Sequence, residues 1–397
     1  MSESMENKDV ILKVEHLSQF FGKGSFVKKA VNDVSFDIKR GEAFGLVGES
    51  GCGKTTTGRT IIKLYDATAG NVWFNGTRIV AGVGQYEDAI RAEKAKLKNA
   101  DAAQKAEINA KIAALKQEIK SAKYDHKHCD KQYRSDNMNR VKASFKAKKA
   151  EGKTSYKDYL DFVRDFRIAK RSKMVTKIQM IYQDPVASLD PRMTVREIIS
   201  EGLAIQGIRD KEYINQKVYE MLDIVGLVHE HAERYPHEFS GGQRQRIGVA
   251  RSVVMNPELI IADEPISALD VSIRAQVINL LNDLRSTMGL TIMFIAHDLS
   301  VVKYFCDRIG VMYFGNMVEL ASSDELFLNP LHPYTRSLLS AIPQPDPTYE
   351  KDRKRVVYDP LIDHDYSVDK PTFREVKPGH FVMCNQAEYE HYLEILK

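Results

Sequence analysis

Few cysteines, no long apolar run and no basic leader set the first limits on this 397-residue chain. Its four cysteines, Cys52, Cys129, Cys306 and Cys384, stand apart without paired spacing. That excludes a disulfide framework or a cysteine metal cluster and suits a reducing compartment. No uninterrupted apolar stretch approaches the roughly 18 residues that a membrane helix needs. The N-terminus "MSESMENKDV" is polar and acidic, with no basic-then-apolar order, so no secretory signal is read there and a cytosolic protein is expected. Prolines are few and uneven: eight of the 13 fall at or after Pro330, which predicts a turn-rich C-terminal stretch built differently from the rest. What remains, 43% hydrophobic and 28% charged residues, describes a globular chain long enough for two or three domains at roughly 150 residues each.

Charge is also unevenly spread. Residues 91–173 carry 24 Lys and Arg against 11 Asp and Glu, so this segment alone holds +13 of a net +4 and leaves the remainder acidic. The same segment begins a change of composition near residue 80, where Ala, Lys, Glu and Gln dominate and proline disappears. These are strong helix formers. Ile108, Ile112, Leu115 and Ile119 form a narrow apolar seam, with Ile90 and Leu97 further back along it after a stutter. Tyr156, Tyr159, Phe162 and Phe166 repeat at helical spacing. An inserted antiparallel helical arm over 80–173 is expected.

On either side the pattern is that of an α/β protein. Residues 11–21 and 31–39 alternate apolar and polar and read as antiparallel strands. "AFGLVG" is a buried strand running into a glycine-rich loop and the helix "KTTTGRTIIKLYD"; "GNVWFNGTRI" is a hairpin turning at Asn75-Gly76. After the arm, "KIQMIYQDP", "ELIIADEP" and "TIMFIAHD" are strands alternating with helices, and "RIGVMYFGNMVEL" is a strand pair. A mostly parallel sheet follows from that alternation. The expected divisions are 1–79, 80–173, 174–320 and 321–397.

Three short stretches carry chemistry. "GESGCGKTT" matches the P-loop pattern between a strand and a helix. Gly48, Gly51 and Gly53 let backbone N–H groups turn inward around a phosphate chain, Lys54 reaches the outer phosphate oxygens, Thr55 offers a hydroxyl to magnesium, and Ser50 and Thr56 are read with them as nucleotide-binding residues. "LIIADEP" ends an apolar strand with two carboxylates, Asp263 for a metal shell and Glu264 to polarise an attacking water. "SGGQ", Ser240 to Gln243, is a capping box opening a helix on two glycines, which suits an anion. A nucleoside triphosphate is expected at the first. The third, as a second anion site, leaves open what it would hold.

With "IYQDP" and Gln183, "SALD" ending at Asp270, and "IAHD" with His297, these elements form an ordered set that resembles the ATP-binding cassette (ABC) ATPases over residues 11–79 and 174–320. The resemblance implies a mixed sheet core with an antiparallel β subdomain and a helical subdomain. It also implies two ATPase units paired head to tail around ATP and magnesium. In such a pair Ser240, Gly242 and Gln243 would contact the γ-phosphate bound by the other unit. Gln183 would sense magnesium and the membrane partner, His297 would hold the γ-phosphate, Asp270 would order the dimer contact, and Phe21, or else Phe20, would stack on adenine.

"YQDPVASLDPRMTVREII", "EPISALDVSIRAQVINLL" and "NPLHPYTRSLLSAIP" look more narrowly like the oligopeptide and dipeptide import subfamily, and more like its F-type than its D-type ATPase. That resemblance implies a paralogous D-type ATPase, two transmembrane permease subunits, an extracytoplasmic peptide-binding protein and a place on the cytoplasmic face of the membrane. Many relatives hold an iron–sulfur cluster on C-terminal cysteines; only Cys384 is available here, so no cluster is expected. "HKHC", His126 to Cys129, is too tightly packed and lacks the second pair of a zinc site. For the arm three readings stand: a solvated hairpin, a contact with anionic lipid, or a contact with another protein. The alternative function is a non-transport ABC ATPase of DNA repair or chromosome organisation, in which a basic arm would neutralise nucleic-acid phosphates. The arm's position before Gln183 argues against it, and no nucleic-acid partner is expected.

Overall fold

The computed structural model describes residues 9–22, 26–97, 101–152, 154–267, 269–342 and 356–396. Most of the N-terminal stretch read for a signal, and Ala268 of "SALD", lie outside them. Two compact units are present, Met1–Val72 with Thr291–Lys397, and Trp73–Leu290.

Along the chain, β1 (Val10–Phe21) and β2 (Lys28–Lys39) pair antiparallel, from Val10↔Lys39 to Phe21↔Lys28. All five residues of β3 (Ala43–Val47) are buried, as expected of a strand covered on both faces. The helix α1 (Lys54–Ile61) is shorter than the sequence pattern suggests. Its end is set locally: Lys63 adopts φ 64°, and the Leu64 N–H turns back to the Arg59 carbonyl at 2.9 Å, a left-handed stop that apolar spacing does not announce. β4 (Ala69–Phe74) turns through Asn75 and Gly76, both at positive φ, into β5 (Thr77–Ala81).

Next come α2 (Gly84–Lys96), α3 (Ala102–Ala150) and α4 (Tyr156–Arg171). Among the described residues the arm is therefore three helices and not two. Ile90 belongs to α2, and the stutter in the seam marks the passage to α3, which opens on a capping box between Asp101 and Gln104. At 49 residues α3 is roughly 74 Å long. Its middle is anchored. The Arg78 Nε of β5 bonds Asp125 at 3.0 Å, Arg134 Nε reaches the Ser172 carbonyl at 3.0 Å, and Asp130 accepts the Met174 N–H at 2.7 Å. Further out, α4 returns against α3 through Phe145 stacked on Phe162 at 4.4 Å between centroids.

β6 (Ile178–Ile181) then lies parallel to β7 (Leu259–Asp263). Between them come α5 (Val195–Ile205), α6 (Lys211–Ile224) and α7 (Gly241–Val253), and α8 (Val271–Met288) follows β7.

The chain re-enters the first unit with β8 (Thr291–Ala296), α9 (Leu299–Phe305), β9 (Arg308–Tyr313), β10 (Asn316–Ser322), α10 (Ser323–Leu328), α11 (Pro333–Ser340), β11 (Thr372–Lys377), β12 (His380–Cys384) and α12 (Gln386–Ile395). β3 pairs parallel with β8 and β9, whereas β9–β10, β10–β12 and β12–β11 are antiparallel, so this part of the sheet is mixed. The C-terminal residues thus extend the sheet through β12, with Cys384 buried among Leu331, Val376, Val382 and Tyr392. Burial pushes its thiol up to about 11.

Candidate nucleotide-binding and hydrolysis site

In the first unit, β3 delivers the chain into the P-loop at the carboxyl end of the parallel strands, the usual place for a ligand in such sheets. Gly48 and Gly53 sit at φ 149° and 109°; a Cβ on either would come within 2.2 Å of a carbonyl oxygen, that of Met312 or of Ala30. Only glycine fits there. Lys54 is buried, and its ammonium donates to the carbonyls of Gly48 at 2.7 Å and Glu49 at 2.9 Å. No side chain caps α1, so the amides of its first turn are presented to the loop with the positive end of the helix dipole. Thr55 and Thr56 are half-buried in that turn, while Ser50 and Gly51 are exposed at the loop's crest. Burial pushes the Cys52 thiol up against the opposing pull of the Lys54 ammonium.

β8 runs beside β3 with Val47 opposite Ala296, so Gly48 and His297 leave adjacent strands at the same end, and His297 is exposed. At the end of β1, Phe21 is exposed and meets Tyr65 edge to face at 5.2 Å. Phe20 is half-buried under the Lys29 ammonium. Of the two rings, Phe21 offers the freer face.

In the second unit, Asp263 is the buried last residue of β7. Glu264 follows at φ 45°, a conformation uncommon for a non-glycine residue and a way of turning its carboxylate away from the strand. The Gln183 amide donates to Glu264 Oε2 at 2.9 Å. Adjacent parallel strands bring the two together, since Ile181 is opposite Ala262. Ser240 caps α7, accepting from the Gln243 N–H at 3.3 Å, while Gln243 Oε1 accepts the Ser240 N–H at 3.0 Å. Gly242 is buried, and a Cβ there would strike Ile273 Cγ2 of α8 at 2.5 Å. Asp270 is exposed at the start of α8, and its side chain does not cap that helix.

One residue at the loop was not identified from the sequence as a site residue. Tyr334 Oη accepts the Glu49 N–H at 3.0 Å. The only signal was the stretch "NPLHPYT", which carried a resemblance and no chemistry.

The family model for ABC transporters matches residues 31–159 and 146–267, and the one described as the C-terminal region of oligopeptide/dipeptide transporters matches 318–362. The chain is 48% identical over 383 residues to the oligopeptide transport ATP-binding protein OppF of Bacillus subtilis, covering 96% of this chain and 98% of that one. It is 40% identical over 386 residues to the dipeptide transport ATP-binding protein DppF of Lactococcus lactis, covering 96% of each. Among solved structures, cbiO1 from Clostridium perfringens matches at TM-score 0.52 and 21% identity over 81% of this chain and 91% of that one. The cassette MJ0796, a dimer bound to ADP and Pi, matches at TM-score 0.51 and 20% identity over 79% and 99%. These two likenesses establish the fold, which is that of the ABC ATPases. With both family models and near full-length relatives in agreement, the chain belongs to the ATP-binding proteins of the oligopeptide/dipeptide ABC transporter family.

Proposed function

We propose that this chain is the ATP-hydrolysing subunit of an importer of oligopeptides. It works at the cytoplasmic face of the membrane with a paralogous D-type ATPase, two permease subunits and an extracytoplasmic peptide-binding protein. The observation that carries the reading is the glycine loop closed around the Lys54 ammonium at the carboxyl end of β3. Among the described residues no helix is long and apolar enough to cross a membrane. The DNA-repair alternative loses its support, because the near full-length relatives are transport ATP-binding proteins.

In this reading the loop amides and Lys54 bind the phosphates and Phe21 stacks on adenine. In this reading magnesium would be held by the Thr55 hydroxyl, the Asp263 carboxylate and the Gln183 side-chain oxygen, the oxygen donors that such an ion takes beside phosphate and water. When bound, it neutralises charge between the outer phosphates. Glu264 orients and polarises the attacking water, and the Gln183 amide holds that carboxylate in place. His297 holds the γ-phosphate. Ser240, Gly242 and Gln243 complete the site of the opposing ATPase, with Asp270 at the contact.

Glu264→Gln is expected to keep ATP binding, lower turnover by about 10²–10⁴-fold as for loss of a general base, and trap the closed pair. The assembled transporter, purified in mild detergent with a second ATPase and two membrane proteins, is the sample to assay. Native turnover by this variant would defeat the assignment of Glu264, and recovery of nucleic acid without membrane proteins would defeat the transport reading.

A further inference from the structure

The C-terminal region touches the phosphate loop through one buried phenol. Tyr334 is 1% exposed, in the first turn of α11, and its hydroxyl accepts the Glu49 N–H at 3.0 Å. The carbonyl of the same residue, with that of Gly48, holds the Lys54 ammonium. The Glu49 residue is therefore gripped on both sides, by Lys54 at its C=O and by Tyr334 at its N–H.

Tyr334 is itself firmly placed. Its ring packs on Tyr313 at 4.5 Å and Tyr358 at 5.5 Å between centroids. Its backbone N–H donates to His332 Nδ1 at 3.1 Å. The His332 and Leu331 amides both donate to the buried carboxylate of Glu319 in β10, which also bonds His380 Nε2 of β12 at 2.8 Å. A continuous set of hydrogen bonds thus runs from the C-terminal hairpin to the loop.

We propose that Tyr334 is a positioning residue for the phosphate loop: by fixing the Glu49 peptide it sets the placement of the carbonyls that hold Lys54, so the C-terminal region tunes nucleotide affinity. The inference rests on the reading of residues 48–56 as the nucleotide loop. A cavity of about 250 Å³ lined by Glu49, Tyr313, Tyr334 and Tyr358 among others lies beside the bond. Water entering it can replace the hydroxyl in part, so the expected loss is graded and not complete.

The test compares the full-length native chain with Tyr334→Phe, which keeps the ring and removes only the hydroxyl that accepts the Glu49 N–H. Affinity is read by titration with Mg-ATP, and loop order by the alkylation rate of the buried Cys52 thiol with and without ATP. The Kd for ATP is expected to rise about fivefold, the scale of one modest hydrogen bond, and Cys52 to react several times faster in the absence of ATP. Ile38→Val, a core change in β2, controls for general loss of stability and is expected to move neither readout. Native values for Tyr334→Phe, or equal changes in Ile38→Val, overturn the positioning role. Lys54→Ala separates the two levels: if it too keeps native affinity, the loop reading itself has failed, whereas lost affinity there beside native Tyr334→Phe sinks only the inference about Tyr334.

Discussion

The helices α1 and α7 both open beside glycines, and their N-termini are built in opposite ways. At α1 the preceding residue is Gly53, no side chain caps the helix, and the neighbouring Lys54 ammonium bonds backbone carbonyls of the loop. At α7 the first turn is already closed by the reciprocal bonds of Ser240 and Gln243. Both termini present the positive end of a dipole. The first, however, leaves its orphan amides to a ligand, whereas the second is partly satisfied by its own side chains. A phosphate at α7 must therefore rearrange or share the box, which suits a site completed only when another ATPase brings the nucleotide.

The glycines differ as sharply. Gly48 and Gly53 are required because the backbone passes within reach of the Met312 and Ala30 carbonyls at positive φ. Gly242 has ordinary helical surroundings but no room, since Ile273 occupies the place of a Cβ. If the second helix is held by packing, Gly242→Ala gives the largest effect on stability. Overpacking of this kind costs about 2 kcal/mol, read as a lower urea midpoint, and Ile273→Ala in the same chain should recover part of it. A Gly242→Ala chain of native stability would mean that this glycine serves only the approach of phosphate.

Acid should separate the C-terminal region that meets the α1 loop from α7. His332, two residues before Tyr334, is held down to about 3 by burial, with the nearby His364 and Arg336 charges acting the same way. The unfolded chain therefore takes up a proton between pH 6.5 and 3 that the native C-terminal region refuses. The stability held by the neutral imidazole is present above pH 6.5 and is lost as pH falls, by about 1.4 kcal/mol at pH 5.5. Hydrogen exchange should then quicken around 331–340 between pH 7 and 5.5 once corrected for intrinsic rates, and not around 241–253. His332→Asn, whose side chain can still accept from the Tyr334 N–H, should flatten the difference; an unchanged slope would remove His332 as its origin.

What was legible in the sequence was local. The buried strands β3 and β7 stand out as unbroken apolar runs, the strand–loop–helix around Lys54 needs only neighbours in sequence, and the box at Ser240 spans four residues. Contacts decided by packing were not legible. The pairing of β12 with β10 and the bond from Tyr334 to Glu49, 285 residues away in sequence, depend on which surfaces meet after folding. The arm shows both sides of this limit. Its helix formers announced helices, but the passage from α2 to α3 was signalled only by the stutter in the seam and by Asp101 and Gln104, a capping pair easily passed over inside a lysine-rich run. The end of α1 went unseen because Lys63 takes a left-handed conformation that side-chain chemistry does not require.

The smallest effect bears most directly on the contrast between the helices. Ser240→Ala removes the cap of α7 and should cost about 1 kcal/mol of stability, as typical N-cap losses do. Taken alone, that would make Ser240 a structural residue. Ser240→Gly costs only a few tenths of that in many caps, because water reaches the freed amide and the backbone keeps its freedom. The two variants therefore differ in stability while both lack the hydroxyl. If the box is only a cap, ATPase activity of the assembled transporter should follow stability, with the glycine variant close to native. If the hydroxyl also meets the phosphate held by the opposing unit, both variants should lose activity alike, whatever their melting points, and nucleotide binding to the isolated chain should stay native in each. Equal activity losses at unequal stability would mark α7 as the second phosphate site; activity that tracks stability would leave α1 as the sole one.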